Sequence, residues 1–123
     1  MAIEFPEALL GGANYWELAD KEIALLLEGK RKGVGHACEF ETSLMMHLRP
    51  DLVRTKEIRD DELRPLPEAL RHVYIPLDMK RQTNQGGTGQ PTLATAEKGK
   101  ALLEIVVKKG VDTIKSMRTI KLA

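Results

Sequence analysis

His36-Ala37-Cys38-Glu39-Phe40-Glu41-Thr42-Ser43 places a histidine and two carboxylates within about two turns of a helix start. Carried on as helix, positions 37, 41, 44, 45 and 48 share one face, which aligns Glu41 with Ala37, Leu44, Met45 and Leu48. A carboxylate thus heads an apolar stripe. Burying it ionised is costly unless it meets a cation, several donors, a metal or a proton, and this need marks Glu41 as a candidate site residue. The spacing predicts a helix over Ala37 to Leu48, ended by Arg49-Pro50 because proline disfavours helix in the residue before it.

Two further helices flank this one. Asn14 is a good N-cap with Glu17 three residues on, as in a capping box, and the helix it opens runs to Gly29 with an inner stripe of Trp16, Ala19, Ile23, Leu26 and Leu27. Pro91 at a first helical position opens the other, which carries Leu102, Ile105, Val106, Ile114 and Met117 near one face and extends towards Thr119, with Gly110 as a weak point. The stretch between is less regular. Asp51 to Arg54 reads as a turn or short strand, and Val73-Tyr74-Ile75 has the β-branched and aromatic character of a short strand. Residues 78–90 lack apolar periodicity apart from Met79. With Gly86, Gly87 and Gly89 they read as a flexible loop.

Composition excludes several classes. The chain has 123 residues and a net charge of +1, with nineteen Lys and Arg interspersed among eighteen Asp and Glu, so no basic face for nucleic acid is expected. The apolar runs are too short to cross a bilayer, and no membrane association is expected. The single Cys38 cannot form an internal disulfide, and no charged segment followed by an apolar one opens the chain. A cytoplasmic location is therefore expected. Aromatic residues are 4% of the chain, so the core must be aliphatic, and a chain this short buries a small share of its surface. Exposed apolar faces then favour a partner, and a homo-oligomer is expected.

The run from Gly35 through His36-Ala37-Cys38-Glu39-Phe40-Glu41-Thr42-Ser43 to Val53 resembles the His-Ala-x-x-x-Glu-Thr-Ser segment of the creatininase family of amidohydrolases. Gly89-Gln90-Pro91-Thr92-Leu93-Ala94-Thr95-Ala96-Glu97-Lys98-Gly99 resembles that family's later Gly-x-Pro-x-x-Ala-x-x-Glu-x-Gly segment, and Asn14-Tyr15-Trp16-Glu17-Leu18 is similar to the aromatic segment before both. The resemblance spans nearly all of residues 1–123 but only the C-terminal half of the family's length. It implies an α/β fold class: a single partial domain, the C-terminal half of a creatininase-like α/β/α sandwich, mostly helical as it stands, with three helices and one or two short strands. It also implies two divalent metal ions, zinc or manganese, in the complete enzyme. The ligands belong to the N-terminal half, His47 and His72 match none of them, and no metal is expected on this chain alone.

Hydrolysing an amide takes an activated water, a polarised carbonyl and an acid for the leaving nitrogen. Histidine suits the last task because its pKa lies near neutrality. By resemblance His36 is that acid, and Glu41 either orients the imidazole or meets a substrate nitrogen. Were His36 fully helical, it would lie about 140° around the axis from Glu41. A direct pair therefore needs His36 just outside the helix, which Gly35 makes easy. Glu39 reads more simply as a first-turn carboxylate favoured by the helix dipole, Cys38 as a small buried thiol, Trp16 as core, and the glycine loop as a connection rather than an anion site. Spacing alone also allows His36 to be solvent-facing and Glu41 to pair with Lys30, Arg31 or Lys32.

Two functional classes follow. In one, the chain is the C-terminal part of a metal-dependent amidohydrolase acting on a small cyclic or linear amide, inactive alone and completed by an N-terminal-half partner chain. In the other it is a non-catalytic remnant or interaction module that assembles with a partner. An upstream or neighbouring segment with a His/Asp/Glu ligand pattern separates them.

Overall fold

The structure, a computed structural model, describes residues 8–121, so the outermost residues of the expected 1–123 unit lie outside it. Asn14 opens the first helical stretch with its main-chain carbonyl, which accepts from the Glu17 N–H at 3.0 Å, and not through the side-chain cap its spacing suggests. A 3-10 turn over Glu17–Ala19 breaks at Ala19, whose φ of −133° is not helical, and α1 then covers Asp20–Leu26. The long helix expected from Asn14 to Gly29 is thus divided and shorter. Its inner stripe holds: Ala19, Ile23 and Leu27 are buried, with Trp16 and Leu26 packed against them.

Helix α2, Glu39–Leu48, begins two residues after the expected Ala37. Ala37 has a φ of +46°, a left-handed conformation that cannot continue into a right-handed helix, and Cys38 is the extended N-cap. Arg49 and a 3-10 turn over Pro50–Leu52 end α2 where proline predicts. Its buried face differs from the expected one. Glu39, Phe40, Ser43 and Leu44 point inwards, whereas Met45 and Leu48 are 40% and 51% exposed. A neighbour packed closely against Ser43 turns the Met45 and Leu48 side outwards.

That neighbour is the longest helix. Pro91–Leu93 forms a 3-10 turn, Ala94 is extended, and the Thr95 side chain accepts from the Lys98 N–H at 3.0 Å to cap a helix over Ala96–Met117. A four-residue helix over Met79–Gln82 precedes it, so these are α4 and α3. The α2/α4 crossing is at Gly99, where an added Cβ would sit 1.9 Å from Ser43 O and 2.9 Å from the His47 Cβ. Only glycine lets the backbones come this close. Leu102 and Val106 complete the core with Ile23, Leu27, Phe40 and Leu44, while Ile114, expected on the same face, is 61% exposed. Lys109 pairs with Glu22 to tie α4 to α1.

The short strand expected at Val73-Tyr74-Ile75 is not formed, since no edge among the described residues runs beside it and the Val73 N–H turns back to Leu70 O at 2.9 Å. Asp51 takes the turn alternative. Pairing in this region is the antiparallel bridge between Asp61 and Gly89. The molecule is mostly helical, as expected. No helix of the described residues is long and apolar enough to cross a membrane.

Candidate active site

His36 lies outside α2, as a direct approach to the helix start requires, and is exposed. The turn at Ala37 is held by Glu41, whose Oε2 accepts from the Ala37 N–H at 2.5 Å. About one turn of helix separates the two groups, and a carboxylate at the third helical position can reach back to the unsatisfied N–H groups that precede a helix. Glu41 is therefore tied to the peptide that follows His36, and its bond goes to the main chain, not to the imidazole. Spacing alone left open a pair with Lys30, Arg31 or Lys32. The Thr42 hydroxyl adds a long bond to Ala37 O at 3.4 Å.

His36, Ala37, Glu41, Thr42 and Met45 form one wall of an open cleft of about 700 Å³, and Leu52, Val53, Arg54, Glu57, Ile58 and Gln85 form the rest. Both candidate residues thus reach one cavity. The outward stripe of α2 that the sequence assigned to the core supplies part of its lining, which accounts for the exposure of Met45. Tyr15, 44% exposed, packs edge-on against Trp16 and near Phe40, with ring centroids 5.0 and 6.0 Å away. Burial, and then the nearby Glu41 carboxylate, push its phenol above the usual tyrosine range. Tyr15 is accordingly a neighbour of the Glu41 end of the cleft, while Trp16 serves the core.

Glu39, given little weight from sequence, is the buried carboxylate. Its Oε1 accepts from the Glu28 N–H at 3.0 Å and from the Lys98 ammonium, and its Oε2 accepts from the Gly29 N–H at 2.9 Å. Burial works to raise its pKa, but these donors together hold it below the usual glutamate range. Lys98 also donates to Leu93 O at 2.9 Å and lies 3.1 Å from Glu28. For Lys98, burial lowers the pKa and the two carboxylates outweigh it, raising the pKa. This hub fastens α2, α4 and the end of α1 behind the cleft. Cys38 is in the core, where its sulfur accepts from the Gly35 N–H at 3.3 Å.

A second clamp comes from far along the chain. Thr88, buried among the glycines at 86–89, bonds the main chain of His36, and Asp61 holds the loop that carries it. Sequence reading passed over both residues. The signal available was glycine: beside the cluster at 86–89, Gly35 permits the close approach, since a Cβ there would be 2.1 Å from Thr88 Oγ1. Among the described residues, no three His, Cys, Asp or Glu side chains gather as metal ligands would. His47 lies against α4 and His72 accepts from Arg71 Nε at 2.8 Å, both away from the cleft.

Comparison with known proteins agrees with this architecture. The profile of the family described as Creatininase: Creatinine amidohydrolase matches residues 2–114. A creatinine amidohydrolase of Pseudomonas putida is 30% identical over 107 residues, 83% of this chain and 40% of the relative. A crystal structure from Bacteroides fragilis NCTC 9343, of a protein to which creatinine amidohydrolase activity is ascribed, superposes with a TM-score of 0.80 at 32% identity, covering 99% of this chain and 48% of that one. A crystal structure of a creatinine amidohydrolase (creatininase) gives 0.67 at 29% identity over 89% and 42%. The chain therefore spans less than half the length of these relatives and shares a creatininase-like fold in its helical portion. On the match to the family profile over most of its residues, and on a 30% identical relative, the chain belongs to the creatininase family.

Proposed function

We propose that this chain supplies the proton-transferring part of a creatininase-type amidohydrolase that cleaves the C–N bond of a small cyclic or linear amide, with His36 as general acid/base. The observation that supports the reading is the meeting of His36 and Glu41 at one wall of the cleft, with Glu41 holding the turn between them. His36 is placed to give a proton to a leaving nitrogen and to take it back. Glu41 acts through the Ala37 peptide, fixing the backbone on which the imidazole stands. Arg54 and Glu57 across the cleft are charged groups against which a polar substrate would be oriented.

The donors of the described residues do not fit the pair of divalent ions, zinc or manganese, that family resemblance implies. Their ligands belong, on this reading, to the part of the family's length that lies beyond the chain, whether encoded in the same polypeptide or in a partner. The chain alone is accordingly expected to turn over no amide. The test is to express it together with the complementary N-terminal half of a longer relative and to assay hydrolysis of small cyclic amides. Activity should appear on assembly and fall by about a hundredfold or more in His36→Ala, the usual contribution of a general acid. Full activity of His36→Ala in that assembly rejects the role. The exposed apolar residues of α4, Val107 and Ile114 among them, favour assembly under the alternative reading as well, in which the chain is a non-catalytic module. That reading gains if the assembly forms and stays inactive.

A further inference from the structure

We infer that Thr88 is a positioning residue for His36, holding the backbone of the proposed acid through both of its main-chain polar groups. The inference rests on the reading of His36 given above. The His36 N–H donates to Thr88 Oγ1 at 2.9 Å, and the Thr88 N–H donates to His36 O at 2.7 Å, so one residue 52 positions away satisfies both groups. The Thr88 hydroxyl also points back to His36 O at 3.4 Å. On the other side of His36 the next peptide N–H, that of Ala37, ends on Glu41 Oε2. The His36 N–H, the His36 carbonyl and the Ala37 N–H, three of the four polar groups of the two peptides flanking the His36 Cα, are thereby tied down. A general acid needs that kind of fixed pivot, because small misplacements of a reacting group are costly in rate.

The clamp is built, not incidental. Thr88 is 3% exposed. Its neighbour Gly89 is bridged to Asp61, with Asp61 N–H to Gly89 O at 3.1 Å and Gly89 N–H to Asp61 O at 2.5 Å. The Asp61 carboxylate accepts from the Asn84 N–H at 2.6 Å, from the Gln85 N–H, from the Asn84 side-chain amide at 3.3 Å and from the Glu62 N–H at 2.9 Å. The loop is therefore anchored on the side away from His36, which lets Thr88 act as a fixed point. Gly35 leaves the space for it, since any Cβ there would run into Thr88 Oγ1. The chemistry requires a hydroxyl at position 88: an acceptor for the His36 N–H on a short side chain that fits beside Gly35.

Thr88→Val keeps the shape and removes the acceptor, whereas Thr88→Ser keeps it. In the chain itself, read by NMR, Thr88→Val should speed exchange of the His36 amide by about tenfold, the factor that one lost buried hydrogen bond gives, and shift the His36 ring signals while those of His47 and His72 stay in place. Thr88→Ser should stay within about twofold of the parent, a retained bond of this kind changing little. In the assembly with the complementary half, Thr88→Val should lower kcat by about tenfold with KM little changed, as removal of an alignment effect does. Unchanged His36 signals in Thr88→Val, or equal changes at all three histidines and throughout α2 and α4, overturn the inference. Should Thr88→Val fail to fold, Gly35→Ala presses on the same contact from the opposite side and must give the same His36-specific signature, or the inference falls. His36→Ala without effect on turnover sinks the general-acid reading and leaves the NMR signature standing. Loss of turnover in His36→Ala with parental kcat in Thr88→Val sinks the positioning role alone.

Discussion

The Glu39 carboxylate faces two main-chain N–H groups and an ammonium, and the Lys98 side chain is only 8% exposed. Removing one member of a buried, hydrogen-bonded pair leaves the other charged and unpartnered, which costs about 3–5 kcal/mol, a large share of a small domain's stability. Lys98→Met is expected to lose about that much in urea denaturation. The pH dependence has a definite sign. The folded-state pKa of Glu39 is depressed, so its contribution is present above the ordinary glutamate value of 4.5 and is lost as pH falls through the lower folded value. That of Lys98 is raised, so its contribution is present below 10.5 and is lost as pH climbs through the higher folded value. Stability should therefore be flat between these limits, and Glu39→Gln, although weaker overall, should show a shallower fall on the acid side. An acid limb of unchanged steepness would remove Glu39 from its cause. Ala37 gives a second residue-scale expectation. At a φ of +46° an alanine carries strain of about 1 kcal/mol that glycine lacks, so Ala37→Gly should raise the thermal midpoint by a few degrees despite the extra freedom of the unfolded chain. The octapeptide singled out His36 and Glu41 as candidates, and the two do line one cleft. It hid the role of Glu39, whose partners stand at positions 28, 29 and 98, and it gave no sign that Ala37 would be left-handed, since nothing local but Gly35 marks a turn there.

Helix α4 holds two glycines with opposite consequences, although both are helical and eleven residues apart. A Cβ at Gly99 would enter the Ser43 carbonyl, with Ser43 O at 1.9 Å and Ser43 C at 2.5 Å, and both are backbone atoms that cannot rotate away. A Cβ at Gly110 meets nothing within 4 Å. Replacing glycine by alanine in a helix interior gains about 1 kcal/mol from propensity. At Gly110 that gain stands alone, and Gly110→Ala should stabilise by roughly that amount. At Gly99 the gain is outweighed by separating α2 from α4, a cost of about 1–3 kcal/mol or more, so Gly99→Ala should destabilise and loosen the turn at His36. Denaturation midpoints of opposite sign for the two variants check the crossing; a stabilised Gly99→Ala would mean that the helices do not approach there. Element ends were legible where a residue dictates them locally, as Pro50 does for α2, whereas the start of α4 was placed too early, at Pro91, which opens a 3-10 turn before Thr95 caps the helix. Faces were not. The close approach of Gly99 on α4 to the Ser43 carbonyl buries Ser43 and leaves Met45 and Leu48 exposed, a choice made by a helix far along the chain. The β-branched run at Val73 lacked a second strand, which no pattern within it could reveal.

The chain exposes 9382 Å². A compact monomer of 13.7 kDa would expose roughly 6,600 Å², and part of the difference is apolar surface on the helices. Helix α4 runs for about 33 Å, and its buried apolar residues, Leu102 and Val106, lie in the first half, whereas Val107, Val111 and Ile114 are 56%, 43% and 61% exposed. Leu25 on α1 is 86% exposed as well. Apolar side chains so placed favour a covering surface by about 25 cal/mol for each Å² they hide. The relatives, of whose length this chain spans 40% to 48%, possess further chain with which to cover such faces. The chain by itself is expected to bind a dye specific for exposed apolar surface, and to show a mass above 13.7 kDa in light scattering that rises with concentration. Val107→Ser together with Ile114→Ser should move it towards the monomer while changing its own stability by no more than about 0.5 kcal/mol per site, because neither residue belongs to the core. Adding the complementary half of a longer relative should suppress the dye signal through the same two positions. A monodisperse monomer that binds no dye would mean that the free half of α4 needs no cover.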